Sequence, residues 1–389
     1  MSKYFLKMIL VFTILFYLLS AFFFVHAYAI DNKKTENTAS DLTYADMEAQ
    51  FANNVFITKD NEFKVIVEKD IELENLIADC KKQGLRFGLA LGGGSARGLA
   101  HVGVILTLEA YHIPIDIIAG TSIGSVIGSL YASGATIQEL EETALSIKKS
   151  KTLFMIDPTF PHSGLISGDR IEKMLNKFAL KDKTFDDLDI PFAAVATEIE
   201  NGAEVVITHG KLIDAVRASI SIPGIFTPVK YQDYYLVDGG LVNPVPANVV
   251  QAMGADIIIA VNLSKINPFV PAIKFDKDNV LSGELEKSTD TKETEKTSLF
   301  KKHIAKVKSS FEGPNLFEVI NQAIDIMEAN ITEHALEGTD IVIVPFGIKD
   351  IKTLDFDEAE LLIKGGIMAT LVNIPRIKEV LKEKLKEKE

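Results

Sequence analysis

Three short segments carry residue types that can do acyl chemistry together. In Gly120-Thr121-Ser122-Ile123-Gly124 a serine stands between two glycines, a pattern that turns a chain sharply from strand to helix and lifts the hydroxyl clear of the sheet. Gly92-Gly93-Gly94-Ser95-Ala96-Arg97-Gly98 supplies a run of backbone amides, and such a run can hold the oxyanion that forms when a carbonyl is attacked. Asp238 lies in Val237-Asp238-Gly239-Gly240, directly after an apolar run. A carboxylate there can take the proton without whose removal a serine hydroxyl is a poor nucleophile. The chemistry these three suggest is attack of Ser122 on an ester carbonyl, with an acyl-enzyme to follow.

The elements around them must bring the three segments to one place. Residues 85–91 form a short apolar run ending at glycines, residues 99–111 suit a helix, and residues 115–119 are apolar again after Pro114. The right-handed crossover makes the two strands parallel, so the glycine loop and the serine turn leave the sheet side by side at its carboxyl edge, where open parallel sheets bind ligands. From residue 84 to 261 the chain alternates between strand and helix patterns, with further strands near 192–197, 204–208, 235–237 and 257–261, which is an α/β organisation. Helices fit 123–133, 137–146, 168–178, 211–218 and 247–253.

A histidine base is the rival to Asp238, since Ser122, Asp238 and His334 follow the chain order of an α/β-hydrolase triad. His334, however, falls near the end of an amphipathic helix, and His162 and His209 precede Asp238. His101, in the first helix after the glycine loop, reads as a packed or hydrogen-bonded residue whose Nε2 would have to reach back over that loop to act as a base. No histidine is well placed, which leaves Asp238 to act on Ser122 directly. A nucleotide site built on Gly92, Gly94 and Gly98 with Asp116 has the wrong spacing, and Leu99 stands where a phosphate loop needs lysine. Ser167 lacks a glycine two residues before it.

Leu91-Gly92-Gly93-Gly94-Ser95-Ala96-Arg97-Gly98-Leu99-Ala100-His101-Val102-Gly103-Val104, with Gly120 to Ser125 and Asp238-Gly239-Gly240, resembles the patatin-like phospholipases, in particular their bacterial neuropathy-target-esterase branch. Arg217 to Phe226 and Asn243-Pro244-Val245-Pro246 agree with it, and the likeness runs over about 85–372. The resemblance implies a three-layer α/β/α fold with a mainly parallel central sheet. It implies Ser122 as nucleophile between Gly120 and Gly124, Asp238 as the dyad aspartate before Gly239 and Gly240, and an oxyanion hole at Gly92, Gly93, Gly94, Arg97 and Gly98. It further implies hydrolysis of acyl esters of phospholipids or lysophospholipids, with no metal or other cofactor. Arg97 is expected to tie its loop to neighbouring carbonyls, and Phe226 to pack in the core. The alternatives are a lipid-binding or scaffold protein on the same fold and a Ser-His-Asp carboxylesterase.

The rest of the chain bounds location and partners. Lys3 and Lys7 precede an almost uncharged apolar run over 8–25, and Ala27 and Ala29 are spaced like a signal-peptidase site. Residues 1–29 are expected to be a signal peptide, or an uncleaved membrane anchor, which places the globular part outside the cytoplasm, periplasmic or otherwise extracytoplasmic. Residues 30–83 read as leader and extension, 84–375 as the hydrolase domain, and 376–389 as a separate charged helix lying on the protein. Residues 265–312 read as a polar surface insertion. The stripe of Phe317, Ile320, Ile324, Met327 and Ile331 is expected to face the core. A net charge of −13 argues against nucleic acid as a partner. The single cysteine, Cys80, excludes an internal disulfide and reads as a small buried apolar residue.

Overall fold

Parallel strands that are covered on both faces must be apolar throughout, and the central strands of this chain are. The computed structural model describes residues 55–57, 63–149, 164–166, 172–173, 175–176, 180–264, 316–348, 351 and 355–388. Residues 1–29, expected to be a signal or anchor, residues 265–312, expected to be an insertion, and Ser167 lie outside the described residues. Val55–Ile57 (β1) and Phe63–Val65 (β2) pair antiparallel as a small ribbon. Helix α1 follows at Ile71–Lys82, its start capped by Asp70, which accepts from the Leu73 amide at 3.0 Å. Acidic residues in its first turn and lysines in its last oppose the helix dipole favourably.

The main unit then runs β3 Phe87–Leu91, α2 Ala100–Ala110, β4 Ile117–Thr121, α3 Ile123–Ala132 and α4 Ile137–Lys149. After β5 at Gly164–Ile166 come β6 Phe192–Glu198, β7 Glu204–Ile207, α5 Leu212–Ser219, β8 Gly224–Phe226, β9 Val229–Tyr231 and β10 Tyr234–Asp238. The last described elements are α6 Ala247–Ala252, β11 Ile257–Val261, α7 Leu316–Ala335, β12 Ile341–Ile343 and α8 Ala359–Lys388. Among the described residues eight strands form the central sheet in the order β12-β11-β3-β4-β6-β10-β9, with β7 also on β6. From β12 to β6 every pairing is parallel, while β7 and β10 on β6, and β9 on β10, are antiparallel. The expected α/β/α fold with a mainly parallel sheet is the one observed.

Side chains alternate across this sheet with period two. Phe87, Leu89, Leu91 and Ile118 join the larger core, which they share with Leu108 of α2, Ile127 of α3, Leu140 of α4 and Ile363 of α8. Ala90, Ile117, Ala119 and Val195 point the other way, onto Val249 and Val250 of α6. Cys80 is fully buried in the larger core, and burial pushes its thiol up to about 11, so it is a packing residue. Among the described residues no helix is long and apolar enough to cross a membrane.

Three expectations about organisation need correction. The boundary at 83/84 is not a structural one, because residues 50–389 form one compact unit and α1 buries Leu73 and Ile77 in the main core. Residues 376–389 are not a separate helix, since α8 runs unbroken through Pro375. A proline inside a helix costs about 3 kcal/mol, but Ile374, Ile377, Val380 and Leu381 are all buried on one side of it. Lys378 also anchors the far half to Asp70 at 2.9 Å and Glu72 at 3.2 Å on α1. The helix at 316–335 does not present a simple apolar stripe inward, for Met327 is 47 % exposed and Ile320, Ile324 and Ile331 are half-buried. Its buried positions include Asn321 and Thr332.

Candidate active site

The pairing of β6 explains how two residues 116 positions apart come to touch. One edge of β6 is taken by β7 over Ala194 to Thr197. The other edge is shared by two strands running in opposite directions: β4 ends with Thr121 opposite Val195, and β10 ends with Asp238 opposite Ala196. Two carboxyl ends therefore meet head-on along the same edge. Ser122, the first residue past β4, donates its hydroxyl to Asp238 Oδ2 at 2.6 Å. The second oxygen of Asp238 accepts from the Gly240 amide at 2.8 Å, a tight turn that fixes the carboxylate plane.

Ser122 sits at φ 53° and ψ −125°, a conformation L-residues avoid, at the start of α3. The turn holds because its surroundings over-determine it. The Ser122 amide donates to Ser219 Oγ at 2.9 Å, and that hydroxyl donates to Val195 O at 2.6 Å. Thr121 Oγ1 donates to Asn243 O at 2.8 Å. Gly124 packs against the Leu91 carbonyl so closely that a Cβ there would overlap the oxygen, which is why that elbow position is glycine. Ser219 is a supporting residue the sequence pattern did not single out.

Both Ser122 and Asp238 are buried, 6 % and 3 % exposed. Burial raises the Asp238 carboxyl to about 6, against the opposing effect of its hydrogen bonds from Ser122 and Gly240. A base with a pKa near 6 is ionised at neutral pH yet basic enough to share a proton with the serine.

The glycine loop lies beside them, but its amides are not equivalent. Gly92 donates to Val261 O at 3.1 Å and Gly93 to Pro244 O at 2.8 Å, so these two members of the expected oxyanion hole are spent on holding the loop to its neighbours. Arg97 also turns its amide to a carbonyl, Gly94 O at 3.1 Å, and Gly98 lies inside the 3-10 turn over Ser95–Leu99. Gly94, with Ser95, is the part of the loop that lines the cleft over Ser122. Gly94 stands at φ 155°, where a side chain would strain the backbone and strike Leu263 Cβ. Arg97 is 2 % exposed and ties the loop to the Gly94 carbonyl, as expected, but it also pairs with Asp325 Oδ1 at 2.7 Å.

Among the described residues no histidine competes for the base. His101 is fully buried and held neutral by burial, which lowers it to about 4. Its Nε2 is 2.8 Å from Gly92 O and must donate there, because a carbonyl only accepts. His334 is exposed, pairs with Glu337 at 3.0 Å and does not line the cleft. His209 is exposed beside Thr208. Phe226 is half-buried against the core with the Arg217 guanidinium over its ring at 5.5 Å, so it packs as expected. Among the described residues no three His, Cys, Asp or Glu side chains gather to hold a metal ion.

Helix α7 forms the roof. Asn321, Ile324, Asp325 and Glu328 line the cleft from above, opposite Ile222, Pro223 and Leu241. Glu328 is half-buried as a residue, but its carboxyl is enclosed above Gly240. Burial first, then the charges of Asp238 and Asp325, push it up to about 8 against the pull of Arg97. Ile324 was part of the apolar stripe, but the polar roof residues Asn321, Asp325 and Glu328 were missed in the sequence because that stripe drew attention to the apolar positions. The usable signal was Asn321, Asp325, Glu328 and Thr332, a polar series at helical spacing.

Comparison with known proteins bears on residues 89–250, which match the family model described as patatin-like phospholipase. Patatin-like phospholipase domain-containing protein 6 of Mus musculus is 35 % identical over 185 residues, 46 % of this chain and 14 % of that one. An uncharacterised NTE family protein of Mycobacterium tuberculosis is 38 % identical over 183 residues, 46 % of this chain and 49 % of that one. The chain thus spans less than half the length of these relatives. Among solved structures, VipD from Legionella pneumophila aligns with 85 % of this chain and 70 % of its own, at 12 % identity and a TM-score of 0.39.

Proposed function

We propose that this protein, whose residues 89–250 match the family model described as patatin-like phospholipase, is a serine hydrolase of lipid acyl esters that works with a Ser122 and Asp238 dyad. The observation that carries the proposal is the 2.6 Å hydrogen bond from Ser122 Oγ to Asp238 Oδ2, made by a serine in a strained elbow conformation. Asp238 accepts the hydroxyl proton as Ser122 Oγ attacks the ester carbonyl. The oxyanion is received at the Gly94 side of the glycine loop, the part that faces the cleft. Asp238 then gives the proton to the departing alkoxide, leaving an acyl-Ser122. A water activated by the same carboxylate hydrolyses the acyl-enzyme and releases a fatty acid.

Phospholipids or lysophospholipids at a membrane surface are the proposed substrates. The apolar run over 8–25 supports a location outside the cytoplasm, exported or tethered by its N-terminus. The chemistry is tested with a fluorophosphonate probe, which labels only an activated serine. Labelling of the wild type and none of Ser122→Ala is the expected result; an unlabelled wild type, or equal labelling of both, overturns the proposal. Fatty-acid release from defined phospholipids, lysophospholipids and triglycerides then reads the substrate class, and a preference for triglycerides contradicts the phospholipid assignment.

A further inference from the structure

The ion pair between Arg97 and Asp325 joins groups 228 residues apart, one on the glycine loop and one on the roof helix. Asp325 lies outside the 89–250 stretch that matches the family model. Arg97 puts two donors on a single carbonyl: its amide and its Nε both reach Gly94 O, each at 3.1 Å. Its Nη2 reaches Asp325 at 2.7 Å, and its buried Nη1 has no hydrogen-bond partner among the described residues. This guanidinium is 2 % exposed, so Asp325 is the carboxylate that compensates a charge almost removed from water. A buried charge that loses its partner is costly enough to move rather than stay.

The position of the Gly94 carbonyl matters for chemistry. In a trans peptide the C=O and the following N–H point in opposite directions, and the chain has no cis peptide among its described residues. Drawing Gly94 C=O onto Arg97 therefore turns the Ser95 N–H away from Arg97, and Gly94 and Ser95 are the two loop residues that line the cleft over Ser122. Gly94 has no side chain to resist rotation and stands at φ 155°, so its carbonyl orientation must be set from outside.

We propose that Asp325 is a positioning residue for the oxyanion-binding loop: by neutralising Arg97 it holds the Gly94 carbonyl turned away from the cleft and the adjacent amides turned into it. Helix α7 then does more than cover the site, since the donor geometry beneath it depends on a carboxylate that it carries. The inference rests on the reading of Ser122 as a nucleophile. It is specific to the transition state, because a misaligned donor weakens the hold on a developing oxyanion far more than on a bound neutral ester.

The test compares wild type, Ser122→Ala, Asp325→Asn, Asp325→Glu and the double variant Arg97→Met with Asp325→Leu, all as the whole chain. Three measurements are made: the thermal unfolding midpoint, kcat and KM on a soluble short-chain p-nitrophenyl ester, and the rate of fluorophosphonate labelling. Asp325→Asn is expected to lower kcat by about 10- to 100-fold with KM within about twofold, and to slow labelling in parallel, since the phosphonylation transition state uses the same donors. Asp325→Glu is expected to recover part of the kcat. If Asp325→Asn fails to fold, the double variant carries the test, because it removes both charges at once. It is expected to fold and remain slow. A folded Asp325→Asn or double variant with wild-type kcat and labelling rate overturns the inference, as does a loss confined to KM. An unlabelled wild type overturns the serine reading instead, so the two failures are distinguishable.

Discussion

The floor and the roof of the cleft are built on different principles. The floor, from the glycine loop through Ser122 to Asp238, is held by backbone: strand ends that meet on β6, amides spent on Val261 and Pro244 carbonyls, and a turn at Asp238 closed by Gly240. The roof, helix α7, is held over the site by side chains, with Asp325 on Arg97 and Glu328 enclosed above Gly240. Backbone geometry tolerates almost no substitution but needs no particular charge state. Side-chain contacts tolerate change in shape but depend on charge and burial. The chemistry therefore sits on the half whose placement rests on backbone, while the half whose placement rests on charged side chains lies above it.

The sharpest way to break this comparison is to remove the chemistry without touching the scaffold. Ser122→Ala and Asp238→Asn are each expected to cut ester turnover by at least ~10³-fold, measured on a soluble ester. Asp238→Asn is also expected to raise the unfolding midpoint at pH 8. The folded pKa of Asp238 is raised from 3.8 to about 6, so the folded state binds this proton more tightly than the unfolded chain does. Ionising the carboxyl costs stability, a cost absent below about pH 3.8 and complete above about pH 6. The difference between variant and wild type is expected to close as pH falls toward 4. Should Asp238→Asn be less stable than wild type at pH 8, the burial argument for this carboxyl is wrong.

Next in size is a test of the floor's rigidity. Gly124→Ala drives a Cβ into the Leu91 carbonyl and is expected to cost more than ~4 kcal/mol, seen as loss of soluble protein. Gly202, at φ 72° with open space around it, is expected to accept alanine for about 1 kcal/mol, since only the backbone conformation objects. Equal effects at the two positions would show that the elbow is not held by close packing.

The roof should appear in the pH profile. For wild type, kcat/KM is expected to rise about tenfold per pH unit below about 6 and to level above it, as Asp238 ionises. Glu328→Gln is expected to leave that acid limb in place and to alter the profile above about pH 8, where Glu328 loses its proton beside Asp238. A shifted acid limb with an unchanged alkaline side would assign the pKa near 6 to Glu328 instead. The smallest effect lies far from the cleft. Pro375→Ala restores a donor for the Leu371 carbonyl at an exposed position of α8 and is expected to add about 1 kcal/mol of stability, with kcat unchanged.

Much of the floor was legible because glycine and serine patterns specify backbone conformation locally. Ser122, Gly120 and Gly124 were named from the local glycine and serine pattern and Asp238 from its place after an apolar run and the want of a well-placed histidine, and the strands carrying them differ from expectation by only a few residues at their ends. Finer assignments were not legible. Nothing in Gly92-Gly93-Gly94 says which amide is consumed by Val261 or Pro244, since those acceptors lie more than a hundred residues away. Ser219, which backs the Ser122 amide, looks like any other serine in its segment. The roof was misread because a helix covering a polar cleft buries Asn321 and Thr332 while leaving Met327 out, the reverse of a core-facing helix. Small strands at Gly224–Phe226 and Val229–Tyr231 escaped notice because three residues are too few to show a period.

The sequence by itself determined the chemistry on offer: a serine in a strained elbow, a glycine loop, an aspartate before two glycines, and no well-placed histidine. Those follow from residue type and near neighbours, which act through local backbone sterics. Tertiary structure alone decided that β4 and β10 end face to face on β6, that burial lifts Asp238 to about 6, and that a helix from the far end of the chain brings Asp325 to Arg97. Each of these depends on groups distant in sequence sharing a space closed to water, where electrostatic interactions are strong enough to set a proton's place and a loop's shape.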